Sequence, residues 1–276
     1  DRHSRPREAL RPAHRRRRPE APRRHDGRRK CDVWHTFDPN DRADPLRDGF
    51  GSIELFEEYR LHPGAGVPSR RAHEAEIVTY VDEGALAFQD SVGRSGVIQA
   101  GEFQRLTAGR DLRPQARNAS QTESARVFRL WLRPSATART PGCEQQRFSA
   151  AQRRDGLFLV ASPDAQSGAL RLQQDASVYS ALLHPGHHVV HELAPGRGAW
   201  LHIVQGEVTL GDIILTSGDA AGFMVERAVS LTATRETSLL LVSLSVLVPR
   251  LAEAVAAPTG TTLFGMLREA LVDVLV

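Results

Sequence analysis

From residue 52 onward, apolar and polar positions alternate in short runs that glycines cut off. In EIVTYVDEG (76–84), Ile77, Thr79 and Val81 stand against Val78 and Tyr80, and Gly84 ends the run. A period of two sends successive side chains to opposite faces, the mark of a β-strand. The same reading predicts strands at 52–61, 76–81, 85–90, 126–132, 178–183, 187–192, 200–205, 207–210, 230–234 and 238–243. Strands this short, with turn residues between them, predict an all-β sandwich or barrel. After Val248 the period changes. Leu263, Met266, Leu267, Leu271 and Val274 fall at helical spacing and predict a C-terminal helical segment.

The strand pattern occurs twice. Leu61-His62-Pro63-Gly64 returns as Leu183-His184-Pro185-Gly186, and Gly84 of VDEGALAF returns at the same spacing as Gly206 of VQGEVTL. Ala100-Gly101-Glu102 is echoed by Ser217-Gly218-Asp219. One order of strands and turns is therefore laid down twice, which predicts two similar barrels. The expected boundaries are a tail at 1–30, a first barrel at 31–140, a second at 141–247 and the helical segment at 248–276, with PSATARTPG (134–142) as the linker.

Charge changes the picture at one end. The net charge is +3, yet residues 1–30 hold 12 Arg and Lys30 against four acids, while the other 246 residues hold 23 basic and 29 acidic side chains. The tail has almost no apolar residues and is expected to be disordered. Nucleic acid is an expected partner only through this basic tail, which also lacks the apolar region of a secretory signal. No apolar run reaches membrane-spanning length, so a membrane partner is not expected. Cys31 and Cys143 are too few for a disulfide framework and fit a reducing cytoplasm, the expected location. There is no P-loop, no GxGxxG after a strand, no GxSxG and no CxxC.

EIVTYVDEGALAFQDS with GVIQAGEFQRLTAG, LHPGAGVP and WHTF (34–37) resembles the N-terminal cupin of the pirin family, whose bicupins include bacterial quercetinase-like proteins. LLHPGHHVVHELAPGRGAWLHIVQGEVTL resembles the C-terminal cupin of that family. The resemblance spans roughly residues 31–245 and implies two antiparallel cupin barrels (double-stranded β-helices), the C-terminal helical segment being an addition.

Active members of the family hold one metal in the N-terminal barrel with three His and one Glu. The resemblance places those four positions at Arg70, Ala72, Pro114 and Ala116, so no metal and no cofactor are expected here. Arg70, Glu74 and Glu76 share the parity of the lost ligands and are expected to face the vacated pocket. Glu76 and Glu74 are the expected acid and base, and Arg70, Gln104 and Arg113 the substrate-binding residues, with Asp111 an alternative rim partner for Arg113. In the second barrel His184, His187, His188, His191 and His202 are expected at surfaces or interfaces, since His187 and His191 lie about 13 Å apart on an extended strand.

The leading functional expectation is a metal-independent bicupin. It binds a small organic molecule in the N-terminal barrel and could catalyse an isomerisation, elimination or cyclisation. The alternatives are a non-catalytic interaction protein and a quercetinase-like dioxygenase with relocated ligands. A homodimer is left open.

Overall fold

The structure, a computed structural model, describes residues 14–16, 24–26, 31–37, 42, 44–68, 75–109, 114–133 and 141–246. The predicted C-terminal helical segment lies outside these residues. Residues 1–246 make one compact unit. No helix among the described residues is long and apolar enough to cross a membrane.

Each half of the unit pairs a large sheet with a small one. In the first half, a seven-stranded sheet is built on Ile53–Leu61, Glu76–Glu83, Glu102–Thr107 and Ala125–Leu132, and faces a three-stranded sheet of Ala85–Gln89, Ser95–Gln99 and Gln115–Asn118. In the second, a seven-stranded sheet is built on Ala176–Leu183, Arg197–Gln205, Ala220–Phe223 and Thr237–Ser245. It faces a four-stranded sheet of His188–Glu192, Glu207–Leu210, Ile213–Thr216 and Ala228–Ala233. Every predicted strand is present, with ends that differ by at most three residues.

The two large sheets also face each other. Phe56, Val78, Tyr80, Phe103, Phe128 and Leu130 of the first share a core with Val178, Trp200, Val204, Leu240, Val242 and Leu244 of the second. A large sheet is therefore apolar on both faces, one turned into its own barrel and one onto its neighbour. In the strand Glu76–Glu83, Ile77 and Val81 pack inside the first barrel, whereas Val78 and Tyr80 pack between the barrels. Polar groups cross the seam as well. Buried Arg126 donates from Nε to Glu58 (2.9 Å) and from Nη2 to the Val204 carbonyl (2.6 Å). Arg153 donates to the Tyr80 and Ser180 hydroxyls, both at 3.2 Å.

Two expected boundaries need correction. The strand Gly142–Arg147, placed by sequence at the start of the second barrel, pairs antiparallel with Glu102–Thr107 and closes one edge of the first barrel's large sheet. The second barrel begins at Phe158–Ser162. The tail is not wholly without structure either. His14–Arg16 pairs with Ala220–Phe223 of the second barrel, and Arg24–Asp26 pairs with Cys31–His35 of the first. A strand added to a sheet edge needs only its backbone N–H and C=O groups, so an arginine-rich composition does not forbid it.

Candidate functional site

The interior of the first barrel contains a small cavity of about 20 Å³ between the two sheets. Its lining includes Thr79, Gln104, Leu106, Arg129, Pro114 and Ala116. Phe88, Gln89, Gln115 and Ala116 line this cavity and also a wider groove of about 660 Å³, which is completed by residues such as Val67, Ala87 and Val97. Thr79 and Gln104 are direct neighbours across the ladder and point to the same inner face.

Of the sequence-predicted site residues, Gln104 is where expected. It is 4% exposed, lines the cavity, and its Nε2 has no hydrogen-bond partner among the described residues. Arg70, Glu74 and Arg113 lie outside the described residues. Glu76 is a correction. Fully buried, it faces away from the cavity and accepts from the backbone amides of Gln173 (3.0 and 2.9 Å) and Gln174 (3.0 Å) and from the Thr107 hydroxyl (3.1 Å). The inner parity of this strand belongs to Ala75, Ile77 and Val81. A one-residue slip in the assumed register sends every side chain to the other face. Glu76 thus ties the first barrel to the turn that opens the strand Ala176–Leu183, and it cannot serve as acid or base in the cavity.

Sequence reasoning missed the groups that do charge the interior. Arg129, 6% exposed, lines the cavity, and its Nε has no hydrogen-bond partner among the described residues. Its guanidinium carbon sits 5.1 Å from the Trp131 ring centroid, a cation–π contact. The nearby carboxylate, Glu57, is engaged elsewhere. The Tyr59 hydroxyl (2.7 Å) and Trp131 Nε1 (3.0 Å) donate to its Oε2, and His35 Nδ1 lies 3.3 Å from its Oε1. Burial pushes the Glu57 carboxyl up, but the His35 hydrogen bond, the Arg129 charge and the Tyr59 hydroxyl together hold it below its ordinary value. The available signal was a charge amid ARVFRLWL, a strand whose eight residues are all buried.

Among the described residues, the cavity lining offers no set of donors that fits a divalent metal. Pro114 and Ala116, which the resemblance sets at two family ligand positions, line the cavity, and neither offers a donor side chain. Arg70 and Ala72, the residues at the other two, have no imidazole or carboxylate. Asp90 also lines the cavity, but Arg94 Nε (2.6 Å) and the amides of Val92 and Arg94 (3.1 and 2.9 Å) occupy its carboxylate. A guanidinium facing the same space repels a cation. Among the described residues, one group of three metal-ligating side chains comes together, and it belongs to the second barrel. His184 Nδ1 lies 2.9 and 3.0 Å from the two oxygens of Asp155, and His187 Nδ1 lies 3.4 Å from one of them. The hydrogen bond between Asp155 and His184 accounts for much of this cluster, and Arg154 Nη1 stands 3.4 Å from the other ring nitrogen of His184.

Residues 16–132 match the pirin family model, and residues 159–244 match the quercetinase C-terminal cupin domain. A quercetin 2,3-dioxygenase from Escherichia coli K12 is 35% identical over 213 residues, covering 77% of this chain and 91% of the relative. The crystal structure of YhhW from Escherichia coli is 33% identical with a TM-score of 0.74, covering 84% of this chain and 95% of that one. YhhW in complex with nickel(II) is 32% identical with the same TM-score and covers 84% and 96%.

Proposed function

The chain belongs to the pirin family of bicupins, and we propose that its N-terminal barrel binds a small organic molecule through its own polar side chains, without a metal. The observation that carries this reading is the buried Arg129, which shares with Gln104 a cavity where the resemblance sets Pro114 and Ala116 at two family ligand positions. A fixed positive charge supplies part of what a metal would: it holds an electron-rich oxygen and stabilises charge developing on it. It cannot bind and activate oxygen. Redox-neutral chemistry on a carbonyl or enol is the kind such a pocket supports. With Glu76 turned away, the described lining offers binding and polarisation rather than proton transfer.

The second reading is a metal-dependent dioxygenase, which the names of the quercetin 2,3-dioxygenase relative and of the nickel complex favour. Elemental analysis of the full chain after exposure to Ni(II), Fe(II) and Mn(II) separates the two readings. Asp155→Ala protein is run alongside, to remove uptake by the cluster on the second barrel. We expect the Asp155→Ala protein to retain less than about a tenth of an equivalent of any of the three, the level of weak sites without a full donor set. Near-stoichiometric metal in that variant, with oxygen uptake in the presence of quercetin, would overturn the metal-independent reading.

A further inference from the structure

An arginine at 6% exposure with an unpartnered Nε is costly, because a buried donor without an acceptor forfeits the water it gave up. Charge raises that cost, unless something arrives to complete the set. Gln104, two strands from Arg129 across Thr79 on the same inner face, brings a second donor, unpartnered among the described residues, to the same cavity. Glu57 does not meet the need, since its oxygens are held by Tyr59, Trp131 and His35. Among the described residues these two donors meet no acceptor, and the guanidinium, whose charge Glu57 partly offsets, favours an anionic one.

Resting on the proposal that this barrel binds a small molecule, we infer that its ligand is an organic monocarboxylate, bound carboxylate-inward against Arg129 and Gln104 with its apolar body in the groove. The fork of a guanidinium matches the two oxygens of a carboxylate, and the amide of Gln104 can donate to one of them. The inner cavity of about 20 Å³ suits a head group of a few atoms. The groove of about 660 Å³ gives Phe88, Ala87, Val67 and Val97 as apolar contacts for the rest. The shared lining residues Phe88, Gln89, Gln115 and Ala116 join the two spaces. Trp131, stacked against the guanidinium, holds it in place without using its hydrogen-bond donors.

The test is calorimetric titration of the full chain with cinnamate, and with its uncharged counterparts cinnamamide and cinnamyl alcohol. A phenolate of similar size, 4-nitrophenolate, tests whether one anionic oxygen suffices. The expected result is binding of cinnamate at least tenfold tighter than of either neutral probe. That preference should vanish in Arg129→Met, fall severalfold in Gln104→Leu and persist in Glu76→Gln. Arg129→Lys, which keeps the charge and loses the fork, should fall between wild type and Arg129→Met, and it carries the test if the methionine variant does not fold. Equal affinity for cinnamate and cinnamamide, or for wild type and Arg129→Met, overturns the carboxylate inference and leaves the small-molecule reading standing. Tighter binding of 4-nitrophenolate than of cinnamate also overturns it, in favour of a phenolate site. If none of the four probes binds, both fall.

Discussion

At Glu57, burial and its neighbours act in opposite directions, and the neighbours win. The carboxyl is 2% exposed, yet it sits below its ordinary value because His35, Arg129 and Tyr59 all favour the charged form over the push from burial. A folded-state pKa below the unfolded one stabilises the fold at pH values above the ordinary carboxylate range near about 4.3, and the contribution is lost as pH falls through the folded value. Glu57→Gln should therefore cost about 2 kcal/mol at neutral pH, the order expected for a lost charge-assisted hydrogen bond. The gap in melting temperature between variant and wild type should close as pH drops from about 5 towards 3. Melts across that range check it, and a gap that widens in acid would contradict the sign. Glu57 and Arg129 were hard to read in the sequence for one reason. Strands buried on both faces show no contrast between polar and apolar parity, so the face of a charged residue is not written in the pattern.

Turns were the legible elements. The glycines paired by the repeat, Gly64 with Gly186, Gly84 with Gly206 and Gly101 with Gly218, all have φ between 68° and 96°. Glycine alone takes that conformation without strain. Two of the turns are also tight. A Cβ on Gly84 would stand 2.8 Å from the Ser124 carbonyl oxygen, and one on Gly206 would stand 2.2 Å from that of Glu236. At Gly186 a Cβ meets nothing within 4 Å. Gly186→Ala should accordingly cost about 1 kcal/mol from backbone strain alone. Gly206→Ala should cost at least 2 kcal/mol more, because backbone must move to admit the methyl. Urea denaturation of the two variants measures the difference, and equal costs would mean that the close approach at Gly206 relaxes freely. Polar strands were the illegible elements. Gly142–Arg147 reads CEQQR after its glycine, without alternation, and directly follows a proline-rich stretch; only its pairing partner identifies it.

Across the whole molecule the halves are tied by exchange. Gly142–Arg147 follows the linker yet belongs to the first barrel's sheet, and His14–Arg16 precedes the first barrel yet belongs to the second's. Deleting residues 1–30 removes two short strand pairings and leaves an edge of each large sheet open. We expect the melting temperature to fall by roughly 3–8 °C, about 1–2 kcal/mol for a unit of this size. An unchanged value would show that these pairings carry no stability. Reading this tail by composition failed because composition reports on core formation, whereas an edge pairing is a backbone matter.

The exchange also fixes an order of events during synthesis. The first barrel cannot close its sheet until the ribosome has released Arg147. The segment His14–Arg16 leaves the ribosome early, but its partner, Ala220–Phe223, follows roughly 200 residues later. At about 5–20 residues per second, the interval is roughly 10–40 s. Through it the second barrel's edge does not exist, and the earliest-made of the described strands is among the last to find its place.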